Sequence, residues 1–233
     1  MVKKITPFVL ICTLVVSACS DHPSAGVAKK DSTIHRADTL KKDSTLASES
    51  GDAISPLGRE VLSGLDQRIL SFVPAGYSVI DTCSGDLNLD QYGDMLVVLK
   101  ENDEATKAKD VEGETIKRPM LVLLGQPDGT YNQVARNDNA VYCVSCGGVM
   151  GDPYQQLAIK QGYFSVEHYG GSAWRWTRVI TFKYSPADST WLLHKDGGES
   201  YHTSDPDKVT QKVRTVKDFG KVPFTAFDIY KDQ

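Results

Sequence analysis

The segment GDLNLDQYGDMLVVL, residues 85–99, joins an acidic loop to a continuous apolar run. Alternate residues of a tight loop point the same way, so their oxygen atoms can converge on one hard cation, and Ca2+ takes about six to eight such ligands. The apolar run predicts a buried strand that holds the loop. The predicted calcium ligands are Asp86, Asn88, Asp90 and Asp94 through their side chains and Tyr92 through its backbone carbonyl. The alternative is an Asp/Asn-rich turn that caps its own backbone and binds no metal.

Strand-like segments continue on both sides of this loop. Turn signals such as Asp128-Gly129 and Gly170-Gly171 separate them. Closely spaced strands without intervening helices favour antiparallel pairing, which predicts a mainly β fold. Residues 101–118 are charged and aperiodic and predict a long solvated loop. The predicted strands are residues 77–81, 95–100, 119–124, 131–135, 140–144, 157–160, 163–169, 173–184 and 190–194.

Two further segments are expected to complete the domain. Residues 56–72 carry apolar side chains at helical spacing after Ser55 and Pro56, which suit the cap and first position of a helix. They predict one N-terminal helix. Near the C-terminus, Phe219, Phe224 and Phe227 give the chain an apolar density that favours packing on the core over a disordered tail.

Residues 85–99, together with RPMLVLLGQPDGTYNQVARND at 118–138, resemble one FG-GAP/VCBS repeat. Such repeats are blades of integrin-like β-propellers, with a DxNxDGxxD calcium loop and a later DGTF/Y turn. Gln91 stands where the repeat has glycine, and no second copy of the loop occurs in the chain. The resemblance therefore implies an incomplete-propeller or sandwich-like domain with a structural calcium ion, and not a closed ring of blades.

The first 20 residues, MVKKITPFVLICTLVVSACS, predict export. Lys3 and Lys4 form a charged region, and residues 8–16 form an apolar region too short to span a bilayer. The string VSAC resembles the lipobox of bacterial lipoproteins, which implies cleavage before Cys19 and diacylation of its thiol. The alternative is an ordinary secretory signal. The implied location is the bacterial cell envelope, with the lipid anchored in a membrane.

Composition divides the chain into three parts. Residues 1–18 are the predicted signal peptide, 19–52 a lipid-anchored disordered tether rich in Ser, Thr, Asp and Lys, and 53–233 a single mainly β domain. The chain has 26 Lys and Arg against 30 Asp and Glu, a net charge of -4. This balance excludes the basic footprint of a nucleic-acid-binding protein.

Three cysteines lie in the predicted domain. Cys143 and Cys146 form a C-x-x-C, and Cys83 stands apart. An exported compartment is oxidising, which favours a disulfide between Cys143 and Cys146. The alternatives are a bond from Cys83 to one of them, a redox pair, or a metal site.

The segment EHYGGSAWRWTRVITFKY, residues 167–184, carries two tryptophans on one face of a predicted strand. One interpretation buries both in the core. The other makes them a partly exposed platform, where tryptophan stacks on a sugar ring and arginine clasps a carboxylate. The ligand-binding residues of that platform would be Tyr169, Trp174, Trp176 and Arg178.

The sequence contains no GxSxG, HExxH or phosphate-cradling motif. It therefore favours a non-enzymatic binding or structural role, with a glycan or an envelope protein as partner. The main alternative is an envelope hydrolase acting on glycan or peptidoglycan, which needs two suitably spaced carboxylates. The candidates for that pair are Asp152, Glu167, Asp188 and Glu199.

The lipobox yields the first testable prediction. Cys19→Ala should abolish incorporation of labelled palmitate and release the protein from membranes, because VSAC supplies the acylated thiol. Metabolic labelling and membrane fractionation measure both effects. A variant that stays in the membrane fraction and still takes up label would contradict the lipobox interpretation.

Overall fold

The computed structural model describes residues 65–110 and 115–231. The predicted signal peptide, tether and first part of the predicted helix lie outside these residues. Nine strands are present in the described part: β1 Tyr77–Gly85, β2 Asp94–Glu101, β3 Met120–Gly125, β4 Tyr131–Asn137, β5 Tyr154–Lys160, β6 Tyr163–Gly171, β7 Trp174–Ser185, β8 Thr190–His202 and β9 Asp205–Thr215. The helices are α1 Glu104–Asp110, α2 Val216–Phe219, and 3-10 turns at Gln67–Phe72, Gly148–Met150 and Phe224–Ala226.

The strands form two antiparallel sheets in simple sequential order. The first sheet is β1-β2-β3-β4 and the second is β5-β6-β7-β8-β9, so each strand pairs with its neighbours in the chain. This confirms the predicted mainly β, antiparallel fold. The sheets meet where β1 and β5 lie close: the hydroxyl of Tyr154 donates to Asp81 at 2.6 Å, and Gly85 lies against Ile159 with no room for a Cβ atom.

Both sheets contribute to one main hydrophobic core. Its fully buried members include Leu96 and Val122 from the first sheet and Phe164 and Phe182 from the second. A smaller cluster lies on the other face of the first sheet, where Ile69 of the Gln67–Phe72 turn covers it. β2 is therefore buried on both faces, which explains why its sequence is continuously apolar and does not alternate.

The C-terminal segment closes the core, as the sequence predicts. Phe224, Phe227 and Ile229 are buried, and the ring of Phe224 packs edge-on against Phe164 and Phe182 at 5.4 and 5.3 Å. Aromatic pairs in this arrangement stabilise beyond the area they bury.

A buried arginine joins three segments of the chain. Arg118 is 1% exposed and donates two hydrogen bonds to Glu104 of α1, at 2.7 and 3.0 Å, and two to Asp152 before β5, at 2.6 and 2.7 Å. Paired carboxylates are required here, because an unpaired buried guanidinium costs several kcal/mol (on the order of 3–5). Part of the predicted loop 101–118 is thus a helix, anchored by Glu104. The prediction missed it because EATKAKD has good helix formers but no apolar face.

Two other predictions were wrong in detail, and one strand was not predicted. Residues 140–144 are not a strand: Asn137 turns the chain by accepting from the backbone of Asn139, and Ala140 is buried without sheet pairing. The described end of the predicted helix 56–72 is the 3-10 turn Gln67–Phe72, capped by Asp66. β9 was not predicted, because its exposed residues lack a clear apolar alternation.

Trp191 provides a test of the packing between the sheets. It is 2% exposed, and its Nε1 donates to the carbonyl of Leu87 at 2.8 Å. Trp191→Phe should lower the free energy of unfolding by about 2–4 kcal/mol, because it removes packed volume and leaves that carbonyl unpaired. Urea denaturation measures the loss. Trp174→Phe is the matched control, since Trp174 is 60% exposed and should shift stability by less than about 0.5 kcal/mol. Equal losses in both variants would contradict the assigned packing.

Candidate functional site

A groove of about 520 Å³ runs along β7, β8 and β9 on the core-facing side of the second sheet. The loop after β4 and the C-terminal segment form its opposite wall. Strand residues that line it include Trp176, Arg178, Asp196, Lys212 and Arg214, and the wall residues include Tyr142, Cys146 and Tyr230.

The floor of the groove is an ion cluster across three strands. Asp196, 4% exposed, accepts two hydrogen bonds from Arg178 at 2.9 Å and one from Arg214 at 2.6 Å. Arg178 also donates to the hydroxyl of Tyr142 at 2.6 Å and to the carbonyl of Ile229 at 3.0 Å. The cluster therefore ties the strands to both wall segments.

Asp196 is held in its ionised form. Burial by itself would raise the pKa of this carboxyl, but the hydrogen bonds and charges of Arg178 and Arg214 lower it below its usual range. Two arginines share one carboxylate, and Lys212 adds a third cation on the same face. Lys212 forms no ion pair with any residue in the described ranges. Against these three cations the groove has the carboxylates of Asp196 and, at its border, Glu199, which leaves an excess of one positive charge.

Aromatic rings form the wall beside this charge. Tyr142 lies 5.6 Å from Trp176 and 5.7 Å from Tyr230, with the rings edge to face. Trp176 can lie flat on the sheet because its neighbour is Gly170, where a Cβ atom would sit 2.5 Å from the indole ring. The disulfide bond between Cys143 and Cys146 closes the loop that presents Tyr142, and its local rigidity is the effect expected of so short a bridge.

His168 is buried against the same wall. Its Nε2 accepts from the backbone N–H of Tyr142 at 3.4 Å, and its Nδ1 has no hydrogen-bond partner among the described residues. Burial first, and then the charge of Arg178, lower the pKa of His168 to about 3. The ring is therefore neutral at physiological pH, packed at 5.0 Å from Tyr142.

The predicted platform is only partly assembled. Trp176 and Arg178 line the groove, whereas Trp174 is exposed beyond it, edge-on to His202 at 5.2 Å. The hydroxyl of Tyr169 lies 3.5 Å from that of Tyr201 and does not border the groove. Asp196, Lys212 and Arg214 were not predicted from the sequence. A signal was present, because Thr210, Lys212 and Arg214 share one face of a strand at alternating positions.

The four carboxylates that the sequence offers for a hydrolytic pair each contact a different partner. Asp152 pairs with Arg118, and Asp188 with Lys221. Glu167 accepts from Gln156, and Glu199, the one of the four that borders the groove, accepts from Gln211. A general acid needs a carboxyl with a raised pKa, and the pKa of Asp196 on the floor is lowered.

Side-chain oxygens of the predicted calcium loop accept hydrogen bonds from the loop itself and from β3. Both oxygens of Asp94 accept backbone N–H groups, from Leu87 at 2.7 Å and Gly125 at 3.0 Å. Asp90 accepts from the backbone of Tyr92 and the amide of Asn88, each at 2.7 Å. Within residues 65–110 and 115–231, no three His, Cys, Asp or Glu side chains are grouped to hold a metal. These hydrogen bonds are those of the self-capped turn, the alternative that the sequence offers; calcium binding stays a prediction.

Cys83 is the free cysteine of the described residues, and it is half-buried. Burial, followed by the charge of Asp81, raises the pKa of its thiol. A raised pKa disfavours the reactive thiolate. None of the helices in the described part of the chain is long and apolar enough to cross a membrane.

Comparison with protein families, with curated proteins and with solved structures finds no match to this chain. The FG-GAP/VCBS and lipoprotein assignments therefore stay predictions from the residues that carry them.

The self-capped loop predicts a metal-independent role for Asp94. Asp94→Asn should lower the free energy of unfolding by about 1–3 kcal/mol, because an amide cannot accept from both buried N–H groups. Asp90→Asn is the control: Asp90 is exposed, and its change should stay within about 0.5 kcal/mol. Denaturation in chelator and in millimolar Ca2+ should give the same loss. A loss seen only with Ca2+ would instead establish a metal site.

Proposed function

We propose that this protein is a lipid-anchored binding module of the bacterial cell envelope, tethered through Cys19, and that its groove binds an anionic ligand. The ligand class is one that presents a carboxylate beside an apolar surface, as acidic glycans and acidic peptides do. The role is non-enzymatic.

The observation that carries this proposal is the charge imbalance on the floor. Arg178, Arg214 and Lys212 line the groove against the two carboxylates of Asp196 and Glu199, so one positive charge is left unbalanced. A ligand carboxylate would supply the missing counter-charge, and charge-assisted hydrogen bonds from arginine are among the strongest in proteins. Asp196 fixes the guanidinium groups in advance, so binding does not have to order them.

The aromatic wall supports the second half of the proposal. Trp176 and Tyr142 lie beside the cations, with ring faces and edges suited to the apolar side of a sugar or to an aliphatic side chain. The lowered pKa of Asp196 supports binding over hydrolysis, because an ionised, doubly paired carboxylate is a poor general acid.

Calorimetric titration of the purified full chain tests the proposal. Trigalacturonate and triglutamate serve as anionic probes, with a neutral galacto-oligosaccharide and triglutamine as their uncharged counterparts. At least one anionic probe should bind in preference to its counterpart, and the affinity should fall with added salt. Lys212→Gln should weaken that binding about tenfold, the effect of one charge-assisted contact.

Lys195→Gln is the matched control for this titration. Lys195 is exposed on β8 and does not border the groove, so the variant loses the same charge away from the site. It should bind like the wild type. Absence of binding to both anionic probes, or equal losses in the two lysine variants, would contradict the proposed function.

A further inference from the structure

We infer that the ligand of this groove is an extended acidic peptide that adds to the free edge of β9 as a sixth strand of the second sheet, an assignment that rests on the anion-binding groove proposed above. Three features of β9 support it: its hydrogen-bonding edge, its charge pattern, and the register that a second copy of the chain would have to adopt.

β9 is a long strand whose outer edge pairs with no other strand of the described residues. It spans 11 residues, and its strand partner is β8. Its residues are exposed apart from half-buried Arg214. No backbone hydrogen bond from another described segment reaches the outer edge of Asp205–Arg214. Every second residue of an edge strand directs its N–H and C=O groups outward, so this edge is a template for another extended chain.

The groove-facing side of β9 selects acidic partners. Thr210, Lys212 and Arg214 share that side, because strand side chains alternate and these residues pair in register with Ser200, Gly198 and Asp196 of β8. Lys208 lies in the stretch between Asp205 and Thr210 where that register shifts, beside the acidic end of the strand formed by Asp205 and Asp207. Lys208 and Lys212 make no ion pair with any residue that the structure describes. A neighbouring strand places its own side chains directly opposite, about 5 Å away, so acidic residues at alternating positions would meet these cations.

The edge favours a polypeptide over a glycan. Strand addition satisfies a series of amide donors and acceptors that repeats every two residues, about 7 Å along the strand. Only another peptide backbone carries the same repeat. A glycan could meet the cations of the groove but would leave the outward N–H and C=O groups of β9 to water.

A second copy of this chain is a poor occupant. The part of β9 from Thr210 to Arg214 is regularly paired with β8 and is centred on Lys212, so antiparallel pairing of two copies about this centre sets Lys212 opposite Lys212. Like charges directly opposite each other destabilise a sheet. Lysines on an edge strand are a common means of preventing such self-association.

The test uses a peptide of alternating Thr and Glu, about nine residues long, capped at both ends, and titrated into the full chain. Two further versions carry N-methyl groups, one on every Glu and the other on every Thr. In an extended strand the Glu N–H groups all point to one edge and the Thr N–H groups to the other. One methylated version should therefore bind about tenfold or more weakly, and the other should bind like the parent.

Charge reversal on β9 provides the second part of the test. Lys208→Glu combined with Lys212→Glu should reduce parent-peptide affinity at least about tenfold. The matched control is Lys160→Glu combined with Lys183→Glu, which reverses two exposed lysines of the same sheet, on β5 and β7, that do not pair with β9; it should retain binding.

The outcomes separate this inference from the proposed function. If both methylated peptides bind as the parent does, or if trigalacturonate binds and the peptide does not, the strand-addition inference is overturned while the anion-binding groove stands. If neither the peptide nor the anionic probes bind, the proposed function fails as well. Dimerisation of the chain through β9, detected by sedimentation and abolished by the β9 variant, would identify a second copy as the occupant and also overturn the inference.

Discussion

The groove depends on the burial of one carboxylate, that of Asp196. Removing a carboxylate from water carries a desolvation cost of several kcal/mol, and an arrangement of this kind holds only where hydrogen bonds of good geometry replace the lost water. Arg178 and Arg214 provide them from the strands on either side. The pairing joins β7, β8 and β9, and Arg178 extends it to Tyr142 and Ile229. The charge that shapes the site therefore also holds its walls in place.

A second buried arginine ties separate segments of the chain together in the same way. Arg118 draws α1 and the segment before β5 together through Glu104 and Asp152. Burial of His168 and the charges of Arg178 and Arg118 all lower the pKa of its imidazole, so the neutral form is favoured. A neutral imidazole can pack beneath Tyr142 at little electrostatic cost. The ion clusters of Arg178 and Arg118 thus allow polar residues of the second sheet to lie beside its aromatic core.

The sequence predicts the fold better than the site, and the reason is the range of the interactions involved. Alternation within β7 and the unbroken apolar run of β2 are local patterns, so these strands were predictable. β9 was not, because an exposed edge strand has no buried face to leave a pattern. Trp176 and Arg178 were predicted from a single strand. Their partnership with Asp196 and Arg214 depends on the register of three strands, including a bulge between Thr181 and Phe182, which local sequence does not determine.

The lysines of β9 serve two purposes that have one physical origin. An open strand edge binds any extended chain through its backbone, so an unprotected edge is an aggregation site. Lys208 and Lys212 leave that backbone available but make its use conditional on charge. An acidic strand offers them counter-ions, whereas a second β9 paired about its regular part would set Lys212 opposite Lys212. The same lysines that keep copies of the chain apart thereby restrict the edge to acidic strands. Protection against self-association and selectivity for a partner then follow from one charge pattern, and the cation excess beside Asp196 extends that pattern into the groove.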